Sequence, residues 1–540
     1  MKKRIISIAL IISMVFAALV GCGKKKTTQD ANTLVVGLPM SADVSDYENN
    51  TLTKYVEESL GINLEFKLFS NTGDSYIKQI SLTASANEEL PDVFWGLQEM
   101  PIMTANALGD AGYFLDLTDL IDKYAPNYKA QYSKLTADEQ ARIQRKGTSE
   151  SGKFYSMPLM WSGEPLMDNL QNMIYINKTW LDTLNLSIPK TIDEFVKVLE
   201  AFKTQDPNGN GQADEIPMLG QDSPSGNILT YVINAYTYFD MENPYNVTDG
   251  KLSAAFTTDE YRQAVIKLNQ MCKAGLLSDS TFSLASAAEY RQFNTPTNGV
   301  ARVGVFNGHY LSYTNVASSV LEEYVALPAL ADATGKGGYD VVRANSLMWC
   351  GYITKDCENV EMAMKFLDFF YQDEVITKIR HGEKGVAWDY LEKPTTVNGA
   401  TYHLKALMDD TTQTNINTNT GWGRNGLGLL TRENYVLMPT ETATTKNIAA
   451  TMQADVLNNL RVPKEVANDL HYTSEAYEEK SQYQSSVIDF INRSLSLFVT
   501  GEQEPTNNAQ WNTYVKQFDQ MGLDKLLKLA QTAYDSKTAK

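Results

Sequence analysis

The chain has 540 residues and 43% hydrophobic content, which is too long for one ordinary domain and enough for two or more sizeable cores. Its net charge of −18 makes binding to the phosphate backbone of nucleic acids unfavourable. The same charge argues against electrostatic attachment to anionic lipid.

The chain begins with an export signal and a candidate lipidation site. Basic residues at positions 2–4 precede an apolar run from Ile5 to Val20, the pattern of a secretory signal peptide. The run ends in LVGC followed by Gly23 and three lysines, which resembles the bacterial lipobox, where the cysteine is acylated. We predict a signal peptide over residues 1–21 and a tether over residues 22–32, lipidated at Cys22. The open alternative is a signal peptide with an incidental cysteine.

Short apolar runs then alternate with amphipathic segments. The sequence predicts strands over 33–40, 62–69 and 90–96, with helices over 50–61 and 76–86 between them. This order implies a parallel sheet. Thr191 and Glu194 are spaced as a capping box for a helix over 189–203. Further elements are predicted as strands over 153–160, 172–177 and 301–308 and helices over 259–274, 359–371 and 511–535.

The cysteines and histidines favour neither a disulfide framework nor a zinc site. After Cys22 only Cys272, Cys350 and Cys357 remain, and an odd count in an exported chain argues against a framework. Cys350 and Cys357 can pair, but the sequence does not decide it. No cysteine or histidine cluster has zinc-ligand spacing.

Several segments, in order along the chain, resemble the extracellular solute-binding lipoproteins of carbohydrate ABC transporters, in particular their large LplA-like, oligosaccharide-binding branch of Gram-positive bacteria. They include LPDVFWG, KFYSMPLM and the stretch from YINKTW to VLEAFK. The resemblance implies an α/β, two-lobed periplasmic-binding-protein-like fold of type II, with interleaved lobes and extra C-terminal helices. It places residues 33–152 and 300–342 in the first lobe and 153–299 and 343–540 in the second. The hinge is expected near 156–158 and 347–353.

An acidic loop after the predicted helix 189–203 has the spacing of a calcium-binding EF-hand loop. Counting from Asp206 as position 1, Asn208, Asn210, Gln212 and Asp214 fall at positions 3, 5, 7 and 9, with glycine at 6. Pro217 stands at position 12, so Glu215 is the expected replacement for the usual glutamate, as the resemblance also implies. We predict a structural Ca²⁺ site. The alternative is a turn rich in asparagine and glycine.

A sugar site needs aromatic plates and planar polar side chains. Candidates at predicted strand ends, in loops and near the hinge are Trp95, Trp161, Tyr310, Trp349, Trp388, Trp422 and Arg424. Trp422 is favoured because the GWGRNG segment offers no apolar neighbours for packing. Trp180 and Trp511 have helical spacing and are predicted to be core residues.

The expected function is capture of an oligosaccharide between the lobes for delivery to ABC permease subunits. We expect a monomer without catalytic activity, held by its lipid on the extracellular face of the cell membrane. No GxSxG, HExxH or P-loop motif is present. The alternatives are a secreted glycoside hydrolase or lyase, whose paired carboxylates need no short motif, a glycan-binding adhesin, and a binding protein for another solute.

Overall fold

The computed structural model describes residues 31–41, 44–70, 75–86, 88–98, 100–162, 174–220, 228–284, 299–307, 320, 323–341, 347–397, 400–408, 422–423, 426–435, 437–438 and 461–538. Cys22, Tyr310 and Arg424, which were predicted as lipidation and ligand-binding residues, lie outside the described residues. No helix in these ranges combines the length and apolar character that a bilayer span requires.

The strands, in chain order, are β1 (Thr33–Pro39), β2 (Asn63–Phe69), β3 (Val93–Phe94), β4 (Met157–Trp161), β5 (Ile174–Asn177), β6 (Ile216–Leu219), β7 (Tyr245–Thr248), β8 (Lys251–Ala254), β9 (Val303–Asn307), β10 (Tyr324–Ala326), β11 (Leu347–Ile353), β12 (Trp388–Val397), β13 (Ala400–Ala406), β14 (Gly428–Leu430) and β15 (Leu437–Met438).

The α-helices are α1 (Thr51–Leu60), α2 (Ser75–Ser85), α3 (Ile102–Asp110), α4 (Thr118–Tyr124), α5 (Pro126–Tyr132), α6 (Ala137–Gly147), α7 (Lys178–Thr183), α8 (Ile192–Thr204), α9 (Ile228–Asn234), α10 (Asp259–Lys273), α11 (Val360–Phe369), α12 (Asp373–His381), α13 (Arg432–Tyr435), α14 (Ser474–Thr500), α15 (Asn508–Gln520) and α16 (Leu523–Thr538).

The first large sheet has the strand order β14–β4–β11–β3–β1–β2. β1 is parallel to both β2 and β3, which confirms the predicted βαβαβ order. β11 is antiparallel to both β3 and β4. Leu34 and Val36 lie on the same face of β1 and are completely buried in the first core, as expected for the core-facing side of an interior strand.

The second large sheet has the order β10–β5–β9–β6. β9 lies between β5 and β6, and its Val303, Val305 and Phe306 belong to the same buried cluster as Ile174. The prediction that residues 300–342 belong to the first lobe is therefore wrong. Both edges of β9 are hydrogen-bonded to strands of the second sheet, and Gly338 N–H donates to Asn234 O, in the same part of the molecule.

For residues 347–430 the lobe assignment is also wrong, in the opposite direction. β11 and β14 pair within the first sheet, and the helices that follow β11 pack in the first core, although the sequence placed them in the second lobe. The described chain thus forms a first lobe from residues 33–162 and 347–438 and a second lobe from residues 174–341 and 461–538. The predicted hinge segments 156–158 and 347–353 are instead paired strands inside the first sheet. The connections between lobes run through 163–173, 342–346 and 439–460, outside the described residues.

The helices follow their local signals closely. Thr191 and Glu194 form the predicted capping box of α8. The predicted single C-terminal helix is interrupted at Gly522, whose φ of 84° is favourable for glycine and ends α15 before α16 begins. The 27-residue helix α14 precedes both, and Phe498 and Tyr514 anchor this helical layer in the second core.

Candidate functional site

The carboxyl ends of β1, β3 and β4 lie at one edge of the first sheet because these strands are mutually parallel. In open α/β sheets this is the edge where ligands bind. Trp161 is the last residue of β4 and is half-buried, with its ring edge-on to Tyr435 at a centroid distance of 4.2 Å. Trp161 thus occupies a position suited to ligand contact.

Trp95 and Trp422 are buried in the first core, contrary to their predicted exposure to ligand. The Trp95 indole N–H donates to the Trp422 carbonyl over 3.1 Å, and its ring lies 4.0 Å from that of Phe370. Trp422 packs against Phe66 at 5.5 Å and is 3% exposed. The apolar neighbours that its own segment lacks are supplied by distant elements. A Cβ on Gly426 would lie 1.7 Å from the Trp95 ring, so glycine there serves packing.

Trp349 and Trp388 are also structural. Trp349 packs edge-on against Phe154 at 5.5 Å, over Gly147. Trp388 is fully buried, and its indole N–H donates to Gly382 O over 2.8 Å. None of these four buried indoles presents an exposed face to a ligand. Trp180 and Trp511 are buried in the second core, as predicted.

A polar cavity of about 360 Å³ lies between the lobes, and we call it the interlobe pocket. The first lobe contributes residues at the start of α3, which follows β3 and its loop, and residues along α6. The second lobe contributes the segment before β7 and residues 468–480. Its lining is Ile102, Met103, Arg142, Lys146, Asp240, Glu242, Asn243, Asn468, Asp469, Leu470, His471, Tyr472, Tyr477 and Lys480. Sequence reasoning did not single out these residues. The sequence did offer one indication of this site, the ring-bearing residues His471 and Tyr472 directly before Thr473, the N-cap of α14.

Asp469 links the two lobes at this pocket. Its carboxylate accepts a hydrogen bond from Arg142 Nε at 2.9 Å and pairs with Lys146, and Arg145 Nη2 lies 3.6 Å away. The Asp469 side chain is only 8% exposed. Burial alone would raise the pKa of Asp469, but the charges of Lys146 and Arg142 outweigh it and the pKa is lowered. The Ser474 N–H of α14 also donates to Glu150 of the first lobe, over 2.7 Å.

Lys480 lies in the same pocket over two aromatic rings. Its Nζ is 4.7 Å from the centroid of the Tyr472 ring and 5.8 Å from that of Tyr477. Burial, together with the positive charge of Lys146, lowers the pKa of Lys480 to about 8. The Tyr472 hydroxyl is buried and has no hydrogen-bond partner.

The acidic loop connects α8 to β6 and brings most of the predicted metal ligands into one hydrogen-bonded network. Asp206 accepts from the N–H groups of Asn210 and Gly211 at 3.2 and 3.0 Å. The carboxamides of Asn208 and Asn210 donate to Asp214 at 3.3 and 3.0 Å. Gly209 and Gly211 have φ of 69° and 72°, which gives the sharp turn such a loop needs. Gln212 joins this network through its backbone N–H, which donates to Asn210 Oδ1 over 2.7 Å.

The charges of this loop are incompletely balanced. Glu215 Oε1 is buried without a hydrogen-bond partner, and burial, with the charges of Asp206 and Asp214, raises the pKa of Glu215. Arg302 Nε lies 3.4 Å from Asp214 Oδ2. Among the described residues, no three His, Cys, Asp or Glu side chains already stand close enough together to hold a metal ion. The oxygen-rich donor set and the orphaned Glu215 oxygen nevertheless fit a hard cation.

The chain is 25% identical to the fructooligosaccharide ABC transporter substrate-binding protein FusA of Streptococcus pneumoniae, over 98% of this chain and 97% of that protein. A structure of a FusA EF-hand mutant in complex with fructo-nystose superposes with a TM-score of 0.74 at 22% identity, covering 94% of this chain and 99% of the other. An HMO-binding, ABC-transporter-associated solute-binding protein from Bifidobacterium longum infantis has a TM-score of 0.72 at 20% identity, with the same coverage. The model of the bacterial extracellular solute-binding protein family matches residues 45–376. Because this match spans more than half of the chain, the protein belongs to the bacterial extracellular solute-binding protein family.

Proposed function

We propose that the protein is the lipid-anchored, substrate-binding subunit of an ABC importer and captures an oligosaccharide between its lobes. The observation that carries this proposal is the interlobe pocket, which takes its lining from both lobes. A ligand that touches both linings stabilises the closed arrangement, because only that arrangement makes both sets of contacts. The permease subunits then recognise the closed protein. The similarity of this chain to FusA over almost its whole length supports the proposed function.

The pocket has the mixed chemistry that sugars require. Tyr472 and Tyr477 supply aromatic rings, and Ile102 and Met103 supply apolar surface for the C–H faces of a sugar. Asp240, Glu242 and Asn243 supply polar groups for hydroxyls. The half-buried Trp161, at the carboxyl end of β4, is a further candidate contact at the edge of the first sheet. Tyr310 and Arg424 remain predicted contacts in segments outside the described residues.

The ligand is released intact in this proposal, so the protein performs no chemistry. The test is isothermal titration calorimetry of the purified protein against fructooligosaccharides, other neutral oligosaccharides and acidic oligosaccharides, followed by chromatography of the recovered ligand. We expect micromolar or tighter binding of at least one oligosaccharide and no shorter products. Shortened products would favour the hydrolase or lyase alternative, and binding of insoluble polymer without uptake by cells would favour the adhesin.

The acidic loop is proposed to hold a structural Ca²⁺ through the oxygens of Asp206, Asn208, Asn210, Gln212, Asp214 and Glu215. The cation would neutralise three neighbouring carboxylates and give the buried Glu215 oxygen a partner. The existence of a FusA EF-hand mutant supports a site of this kind in a relative. Because the loop lies between α8 and β6 of the second lobe, its ordering stabilises that lobe.

Cys22 is proposed as the acylated N-terminus of the mature protein, which would hold a monomer at the extracellular face of the cell membrane. Acyl chains contribute about 0.8 kcal/mol per buried CH₂, so two or more chains anchor stably. The test compares membrane fractions of cells expressing the wild type and Cys22→Ser. We expect the wild type in the membrane fraction and the variant in the medium or as unprocessed precursor. Equal membrane retention of a processed Cys22→Ser protein would contradict lipidation.

A further inference from the structure

Two polar groups of the interlobe pocket, the Tyr472 hydroxyl and the Lys480 ammonium, can donate hydrogen bonds to a ligand. The Tyr472 hydroxyl is buried without a partner in a residue that is only 7% exposed. Lys480 has aromatic rings against its ammonium, and the ion pairs of the pocket, at Asp469, are made by Arg142 and Lys146. The carboxylate whose charge acts on Lys480 is that of Glu242. The Lys480 ammonium can only donate, whereas the Tyr472 hydroxyl can donate or accept, so a ligand that satisfies both groups must supply an acceptor atom at least to Lys480.

The pocket's main acceptor is already used. The Asp469 carboxylate serves Arg142 and Lys146 directly and has Arg145 nearby. The Asp240 carboxylate accepts the Glu242 N–H over 3.0 Å. These two carboxylates therefore already accept hydrogen bonds within the protein, whereas donor capacity is left over at Lys480 and Tyr472.

The cations Arg142, Arg145, Lys146 and Lys480 gather here beside the carboxylates of Asp240, Glu242 and Asp469, in a chain whose net charge is −18. Arg142, Arg145 and Lys146 share Asp469, and Lys480 is a further cation that Lys146 repels and Glu242 attracts. An anionic group placed beside Lys480 would relieve this repulsion as well as supply the missing acceptors.

The size of the cavity restricts the ligand further. A volume of about 360 Å³ is near the lower end of the range for small organic ligands, roughly 300–1,000 Å³. An inorganic anion would leave most of this space unfilled, whereas a sugar-sized acid fits it. We propose that the interlobe pocket binds the carboxylate of an acidic sugar, with Lys480 and Tyr472 as its hydrogen-bond donors. This inference rests on the proposed function, since it specifies the ligand class of the same interlobe site.

The experiment is titration calorimetry of the purified protein with a uronic-acid-containing oligosaccharide, a matched neutral oligosaccharide and inorganic phosphate. Wild type is compared with Lys480→Gln, Tyr472→Phe and the control Lys528→Gln, an exposed lysine on α16. We expect the acidic oligosaccharide to bind at least about tenfold more tightly than the neutral one, as a charge-assisted hydrogen bond predicts. Lys480→Gln should weaken binding of the acidic oligosaccharide about tenfold, and Tyr472→Phe should weaken it several-fold. Lys528→Gln should leave the affinity unchanged. Melting curves establish that the variants are folded.

The remaining outcomes separate this inference from the proposed function. Tight binding of neutral oligosaccharides with none for the acidic one overturns the acidic-sugar assignment and leaves the importer function standing. Binding of no oligosaccharide overturns both. Phosphate binding as tight as that of the acidic oligosaccharide overturns the sugar part of the assignment. Acidic-sugar binding that neither Lys480→Gln nor Tyr472→Phe alters overturns the assigned donors.

Discussion

Replacing Asp469 by asparagine should destabilise the contact between the lobes. The substitution keeps the shape of the side chain but removes the charge shared by Arg142, Lys146 and Arg145. Asparagine is chosen over alanine because Asp469 has a φ of 54°, a left-handed conformation that asparagine tolerates. Alanine would add about 1–2 kcal/mol of backbone strain to the lost charge.

The magnitude follows from the burial of the cluster. Breaking a fully buried ion pair costs about 3–5 kcal/mol. Here the Asp469 side chain is 8% exposed, and those of its cationic partners are 14–22% exposed, so solvent recovers part of the loss. We expect Asp469→Asn to lower the free energy of unfolding by about 2–4 kcal/mol near pH 7.

The assay is urea denaturation followed by tryptophan fluorescence, with Asp489→Asn on the exposed side of α14 as the control. The pKa of Asp469 is lowered in the folded protein, so its stabilisation is fully present above the ordinary aspartate pKa of 3.8. The stabilisation is lost as the pH falls through the lower, folded-state pKa. The difference between wild type and Asp469→Asn should therefore vanish in acid. Equal stability of the two proteins at pH 7 would refute the account of Asp469 as the interlobe anchor.

Three further predictions concern separate parts of the molecule. EDTA should lower the melting temperature of the wild type but have little effect on Glu215→Gln, because calcium stabilises by mass action only where its ligands are present; calorimetry that shows no EDTA effect on the wild type would disprove the calcium site. Gly426→Ala should destabilise by about 1–3 kcal/mol through overpacking against Trp95, measured by chemical denaturation, and an unchanged midpoint would contradict this contact. Affinity for an acidic oligosaccharide should fall as the pH rises through about 8, where Lys480 loses its charge beside Lys146 and Glu242, and titrations from pH 6.5 to 9.5 should show no such fall for Lys480→Gln.

The parts of the fold that sequence predicted depend on short-range chemistry. The capping box of Thr191 and Glu194 involves residues three apart, and it places the start of α8 correctly. The acidic loop is similar, because its glycines and oxygen ligands lie within ten residues and impose the same turn in the structure. The alternation of apolar runs also predicted the βαβαβ order around β1. In each case, the residues that determine the structure are close in sequence.

The assignment of segments to lobes depends on contacts between residues that are far apart in the sequence. β9 looks like any buried strand in the sequence, and only its pairing with β5 and β6 shows which sheet it joins. The same limit applies to Trp422, whose nearest aromatic partners, Phe66 and Trp95, are far away in the sequence. Judging a tryptophan by its neighbours along the chain therefore predicted exposure where long-range packing produces burial.

The interlobe pocket shows why a binding site can be missed completely when residues are judged by their neighbours in the sequence. Lys480 lies near the start of a long helix whose first turns are rich in charge, so its sequence context indicates a solvated face. Lys480 is partly buried because residues 468–480 of the second lobe pack against the first lobe, whose cations hold Asp469. Lys480 and Asp469 share Lys146 as a neighbour. An anion bound at Lys480 would therefore offset the repulsion between Lys480 and Lys146, the lysine that pairs with Asp469 across the lobes. Ligand binding and lobe contact are coupled through Lys146 in this way.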